Sequence, residues 1–167
     1  MITRLAIALL IVFPSHAEAT NYKYRPDRNL TPGHVAGNAF EDVCSSGYPE
    51  RSRNVTFSTK KRVFDTYKTP IKDRAGDVSK IDHLVPLSIG GSNDVRNLWP
   101  HYYKGHPVWT VYKKSRLEVK LRKMVCNEKY DIIKAQLCVS SSWVGCYRKI
   151  FNVDKNGKLN GSLTNKQ

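Results

Sequence analysis

Apolar positions recur on a helical rhythm in three stretches of this chain and as a short continuous run in a fourth. Between residues 56 and 68, Val63, Phe64 and Tyr67 share one face at the 3.6-residue period, with Ser58 as N-cap and Thr69-Pro70 as the stop. Between 110 and 126, Leu117, Leu121 and Met124 or Val125 form a second stripe. Between 131 and 151, Asp131 caps a third helix. Its stripe of Ile132, Ile133, Gln136, Leu137, Trp143, Tyr147 and Ile150 reads as core packing. Residues 20 to 50 have no period. Arg25-Pro26-Asp27, Thr31-Pro32-Gly33 and the loop around Cys44 predict an irregular lead that wraps the rest instead of forming a domain.

The fourth stretch is the run from Lys80 to His106. Leu84-Val85-Pro86-Leu87-Ser88-Ile89 is apolar, Gly90-Gly91-Ser92-Asn93-Asp94 is turn chemistry, and Asn97-Leu98-Trp99-Pro100 is a second short segment. This predicts a hairpin whose first strand is short or irregular because of Pro86. His83 falls at or before the start of that strand and Asn97 on the return limb, so the hairpin brings residues 82 and 83 close to 97.

The ends of the chain change the picture. Met1 to Arg4 is a basic start, and Leu5 to Phe13 is an apolar run too short to span a bilayer. Ala17-Glu18-Ala19 fits a cleavage site, so residues 1–19 are expected to be a signal peptide and the protein to be periplasmic or extracellular, without stable membrane insertion after cleavage. Residues 20–151 then make one domain of a size expected for 167 residues, and the polar tail 152–167 is expected to fray. Its Asp154-Lys155-Asn156-Gly157 begins like a calcium loop, but Lys158 and Leu159 stand where ligands should follow, which rejects that reading.

Charge narrows the partners. The net charge is +14 and the pI about 9.8, which points to nucleic acid, anionic lipid or acidic polysaccharide. Removing the leader takes away Arg4 and Glu18 and leaves the net charge unchanged. Lys60, Lys61 and Arg62 rim the first helix, and Lys113, Lys114, Arg116 and Lys120 make the second strongly basic. Either set is a solvated face or a surface for phosphate contacts, which are sequence-independent and salt-sensitive. No base-reading motif is present, so little sequence specificity is expected.

All four cysteines lie past the cleavage site, where export permits disulfides, and their spacing does not suit structural zinc. Three full pairings are possible. In an unbroken helix Cys138 and Cys146 would be about 12 Å apart along the axis, beyond the reach of a bridge. That pair needs a break, which Ser140-Ser141-Ser142 can supply. The pair expected is Cys44–Cys126.

Asp82 and His83 are the candidate chemistry. A carboxylate suits a hard divalent cation and a neutral imidazole can accept a proton from water. An isolated Asp-His pair is more often a turn cap beside a surface histidine. This pair is followed by Leu84-Val85-Pro86-Leu87, Gly90-Gly91 and Asn97-Leu98-Trp99-Pro100, and that pattern resembles the HNH, or His-Me finger, endonucleases, most of all a small secreted bacterial branch. The likeness extends over roughly residues 31 to 150, through Thr31-Pro32-Gly33, Arg53-Asn54-Val55, Lys61-Arg62-Val63-Phe64, Leu117-Glu118 and Ala135-Gln136.

The resemblance implies an α+β fold, a ββα-metal hairpin-plus-helix core surrounded by helices. It implies His83 as general base, Asp82 as metal ligand, and Asn97 as the residue that holds the hairpin and helps orient the histidine. The third motif position departs from the pattern. Alignment on Leu117-Glu118 puts Thr110 there, whereas counting from Asn97 makes His106 the candidate, and imidazole is the better ligand. The implied activity is hydrolysis of phosphodiester bonds in DNA or RNA with one divalent cation. Mg²⁺ or Mn²⁺ suits oxygen ligands, and Zn²⁺ or Ni²⁺ becomes admissible with imidazole. Two rivals follow from the same residues: an HNH-fold protein that binds nucleic acid or other polyanions without cutting, and an envelope protein whose charge serves lipid or polymer.

Overall fold

The computed structural model describes residues 22–37 and 40–161; the expected leader at 1–19 lies outside them, as does the end of the polar tail. Among the described residues the chain mixes five α-helices with one two-stranded antiparallel sheet, an α+β arrangement that is mostly helical outside the sheet. Strand β1 (Ser79–His83) pairs with β2 (Leu98–Tyr102), with Asp82 opposite Trp99 and His83 opposite Leu98.

The apolar run from Leu84 to Ile89, predicted as the first strand, is instead the loop that follows it. Pro86 has no N–H to give a ladder, and a 3-10 turn at Leu87–Ile89 follows it directly. The side chains of the run are still core, with Leu84, Val85, Leu87 and Ile89 all buried. His83 therefore ends β1. The loop returns through a second 3-10 turn at Val95–Asn97, and Asn97 closes it. Its fully buried amide accepts from Val85 N at 2.8 Å and donates to the Val85 and Ser92 carbonyls at 2.9 Å each. Gly91 is required at the crossing, because a Cβ there would collide with the Val85 carbonyl.

Two short helices break the predicted irregular lead: α1 (Phe40–Cys44) and α2 (Tyr48–Ser52). Gly47 enters α2 at φ 69°, in the left-handed region, and Pro49 occupies its first turn, where a missing N–H has no consequence. Helix α3 (Phe57–Thr66) is capped by Thr56, not Ser58, with the Thr56 hydroxyl accepting from Thr59 N at 3.2 Å. Its Val63 and Phe64 are buried, as is Tyr67 just beyond it. The Tyr67 hydroxyl meets Thr31 Oγ1 at 2.7 Å, and Thr31 in turn donates to the Leu98 carbonyl at 2.9 Å. The lead is so fastened to β2.

Helices α4 (Val111–Cys126, N-cap Thr110) and α5 (Ile132–Phe151, N-cap Asp131) occupy the spans their periodicity predicts. Leu117, Leu121 and Val125 of α4 meet Ala135, Val139 and Trp143 of α5 in a core shared with Val85, Ile89, Leu98 and Trp99. Helix α5 bends at Ser142, whose φ and ψ of −170° and 107° are not helical. The bend brings the Cα atoms of Cys138 and Cys146 to 5.2 Å, and the two are bridged. The expected bridge Cys44–Cys126 ties α1 to the end of α4, with Cα atoms 5.4 Å apart. Residues 152–161 do not fray as expected. Val153 is buried and pairs with Leu159, and Asn160 N donates to the Asn152 carbonyl at 2.9 Å.

Candidate active site at the end of the first strand

Alternation along β1 sends neighbouring side chains to opposite faces. Asp82 and His83 accordingly find different partners, although they adjoin in sequence. Asp82 lies inward at 6% exposure. Its Oδ2 takes a hydrogen bond from His101 Nδ1 at 2.8 Å and has Lys114 Nζ at 3.8 Å, while Oδ1 accepts from His83 N at 3.0 Å and has Lys80 Nζ at 3.6 Å. Burial by itself would raise this carboxyl. Lys114, the His101 hydrogen bond and Lys80 instead hold it well below the ordinary carboxylate range. His101 sits two residues past the partner of Asp82 on β2, the diagonal position on the same face. A carboxylate can only accept, so His101 Nδ1 carries the proton. Burial keeps the imidazole neutral, pushing its pKa down against the pull of Asp82.

Lys114 is the third member of this cluster. It is 1% exposed, and its ammonium donates to the His83 carbonyl at 2.6 Å and to Glu118 Oε1 at 2.7 Å. Burial opposes its charge, but Asp82 and Glu118 more than compensate and raise its pKa. Its ammonium is thus occupied inside the protein and is not on the α4 surface, where the sequence places it among phosphate contacts. Of the other residues in that group, Lys113 lies over the Trp109 ring at 5.0 Å and Arg116 over Phe151 at 5.1 Å, and Lys120 is exposed. On α3, Lys61 pairs with Asp65 at 2.7 Å, while Lys60 and Arg62 are exposed.

His83 faces a cleft of about 90 Å³, lined also by Arg53, Lys80 and Glu118. Its ring is oriented by Asn93, a residue the motif reading passed over. Asn93 Nδ2 donates to the Ser52 carbonyl at 2.7 Å, which turns Oδ1 toward His83 Nε2 at 3.1 Å. An amide oxygen accepts, so Nε2 carries the proton. Burial lowers the pKa of the ring to about 4, against the raising effects of Asn93 and Asp82 and with help from Arg53 and Lys114. The imidazole is therefore neutral at physiological pH, and Nδ1 is its lone-pair atom. Nδ1 has no hydrogen-bond partner among the described residues.

The remaining motif residues lie elsewhere. Asn97 holds the loop, and it is Asn93 whose amide meets the ring of His83. His106 accepts from the amides of Val108 and Trp109, both at 3.0 Å, and packs on Tyr24 with ring centres 4.4 Å apart. Thr110 spends its hydroxyl capping α4. Neither joins Asp82. A divalent cation does not fit the Asp82–His106 pair: the two residues share no hydrogen-bond or ion-pair partner, His106 Nδ1 is taken by two backbone amides, and both Asp82 oxygens already face a donor and an ammonium. One part of the cluster is legible in sequence, since Lys114 and Glu118 are four apart on one helix. Comparison of the chain with protein-family models, curated proteins and solved structures finds no match.

Proposed function

We propose that this protein is an exported phosphodiester hydrolase of the HNH type that cuts nucleic acid with little sequence preference, with β1, β2 and α4 as the ββα unit and His83 as general base. The observation that carries the reading is the state of His83, a neutral imidazole held in one tautomer by Asn93 at a cleft flanked by Arg53 and Lys80. Water placed against Nδ1 gives its proton to the ring as its oxygen attacks phosphorus. A P–O bond forms, the bond to the leaving oxygen breaks, and that oxygen takes a proton from solvent. The imidazolium then returns its proton to water. Arg53 and Lys80 oppose the charge that builds on the non-bridging oxygens. Two disulfides fit an oxidising compartment.

A second reading draws on the engaged state of Asp82: a polyanion binder that holds nucleic acid without cutting it. Plasmid cleavage by the oxidised chain separates the two, run with Mg²⁺, with Mn²⁺ and with chelator. Cutting that disappears in His83→Ala and persists in His106→Ala is the expected result. A wild-type chain that shifts DNA in a gel under every condition without cutting it would overturn the hydrolase reading in favour of the binder.

A further inference from the structure

The cleft over His83 continues along β1 into a larger groove of about 350 Å³ between α3 and the strand. The two share Arg53, Lys80 and Ile81, and the groove adds Lys60 and Arg74. Four cationic side chains thus line one depression over an apolar floor of Val55, Phe64 and Ile81. They are unequally neutralised. Arg74 is held in place, its Nε donating to the Thr69 carbonyl at 3.0 Å, its Nη1 2.8 Å from Asp65 and its guanidinium over the Phe64 ring at 5.6 Å. Lys80 shares Asp82 with Lys114 and His101. Arg53 and Lys60 have no acidic partner among the described residues.

The other side of His83 is different. Beyond Asn93 a depression of about 440 Å³ holds Arg51 and Asp42, so its charges offset each other. Its Arg51 is turned inward onto Ser45 Oγ at 2.8 Å and the Ser46 carbonyl. Of these two depressions, the groove along β1 is the one with positive charge in excess of its partners among the described residues. The five residues of β1 span about 13 Å, enough for more than one phosphate to lie along the strand.

We propose that the groove of Arg53, Lys60, Arg74 and Lys80 is a phosphate subsite, which takes the nucleic-acid backbone on one side of the bond presented to His83. This rests on the hydrolase reading for the place of the scissile bond and on the groove alone for binding. Fluorescence anisotropy tests it with a short labelled single-stranded oligonucleotide in chelator, titrated across a range of salt concentrations. Each lost phosphate contact on a single strand lowers the slope of log K against log salt by about 0.7. Arg53→Ala/Lys60→Ala removes two side chains that make no ion pair among the described residues, so the slope falls by about 1.4 without a loss of thermal stability. The charge-matched control Lys149→Ala/Lys155→Ala, at exposed positions on the end of α5 and the tail, leaves the slope as it was. Equal slope losses in both variants would show a diffuse cationic surface and sink the subsite, as would no loss in either. The titrations are run in the His83→Ala background, which lacks the proposed base, so the oligonucleotide stays intact and the result stands apart from cleavage. A groove-dependent slope beside a wild-type chain that cuts nothing would retire the hydrolase and leave the subsite.

Discussion

At the scale of single residues the chemistry turns on how burial and hydrogen bonding set protonation. His83 has its pKa lowered by burial from an ordinary 6.5 to about 4. The unfolded chain therefore binds more protons between those values. The stability His83 allows is complete above pH 6.5 and drains away as the pH falls toward 4, by about 3 kcal/mol. His101, lowered for the same reason, acts in the same direction. Thermal melts from pH 7 to about pH 4 should fall steeply for the wild type and less for His83→Gln, which has no proton to gain. The base shows the same shift in activity. Turnover should hold on the acid side until close to pH 4, and Asn93→Asp, which sets a carboxylate beside Nε2, should move that limb upward. A limb near 6.5 in both proteins would remove His83 from the role of base.

These partners also mark where sequence stops being informative. His83 and Asp82 stand out by motif, but what each does is decided across the chain. Asn93 is fixed by Ser52 at a separation of 41 residues, and Asp82 by His101 at 19. Nothing local to Lys114 says that it points inward, because its spacing suits an exposed i,i+4 pair with Glu118 equally well. Burial, which chooses between the two, is a property of the assembled core.

At the scale of elements, local signals and outcome agree where one residue fixes the geometry. Asp131 caps α5 as its sequence suggests, and Thr110 caps α4, whose stripe of Leu117, Leu121 and Val125 is buried. On α5 Trp143 and Tyr147 are buried as expected, but Ile133 and Leu137 face out and Ala135 and Val139 fill the core instead. Agreement fails where two local signals compete. Thr56 and Ser58 are both able to cap α3, and Thr56 wins because its backbone is extended and its hydroxyl reaches Thr59 N. In the run 84–89 apolar content favours a strand and Pro86 opposes it; the proline prevails, and the apolar side chains reach the core from a loop.

The bridges differ in consequence at this scale. Cys44–Cys126 joins residues 82 apart and Cys138–Cys146 residues 8 apart. In the chain-entropy model they contribute about 4.5 and about 2.5 kcal/mol. Denaturation midpoints should therefore fall further in Cys44→Ser/Cys126→Ser than in Cys138→Ser/Cys146→Ser. The first pair should also lose more activity per folded molecule. Its bridge secures α1, next to the α2 segment whose Ser52 carbonyl orients Asn93 and through it His83.

For the whole molecule, charge outweighs shape. A net charge of +14 on 167 residues makes the folded chain repel itself. Screening shortens from about 30 Å at 0.01 M salt to about 10 Å at 0.1 M. The melting temperature of the free protein should thus rise over that range, while its affinity for nucleic acid falls. Differential scanning fluorimetry with and without oligonucleotide reads both trends at once. A melting temperature indifferent to salt would mean that the cations are neutralised locally to a degree the ion pairs of the fold do not provide.

The two-stranded sheet carries a further consequence. Strand β1 has a partner strand on one side only, and an open strand edge is a template on which another chain can assemble into aggregates. Lysine on such an edge is a common guard against that outcome. Here Lys80 lies in the strand itself, with Arg53 beside it. Replacing these two with apolar residues would therefore make the protein more prone to self-association, whatever the groove binds.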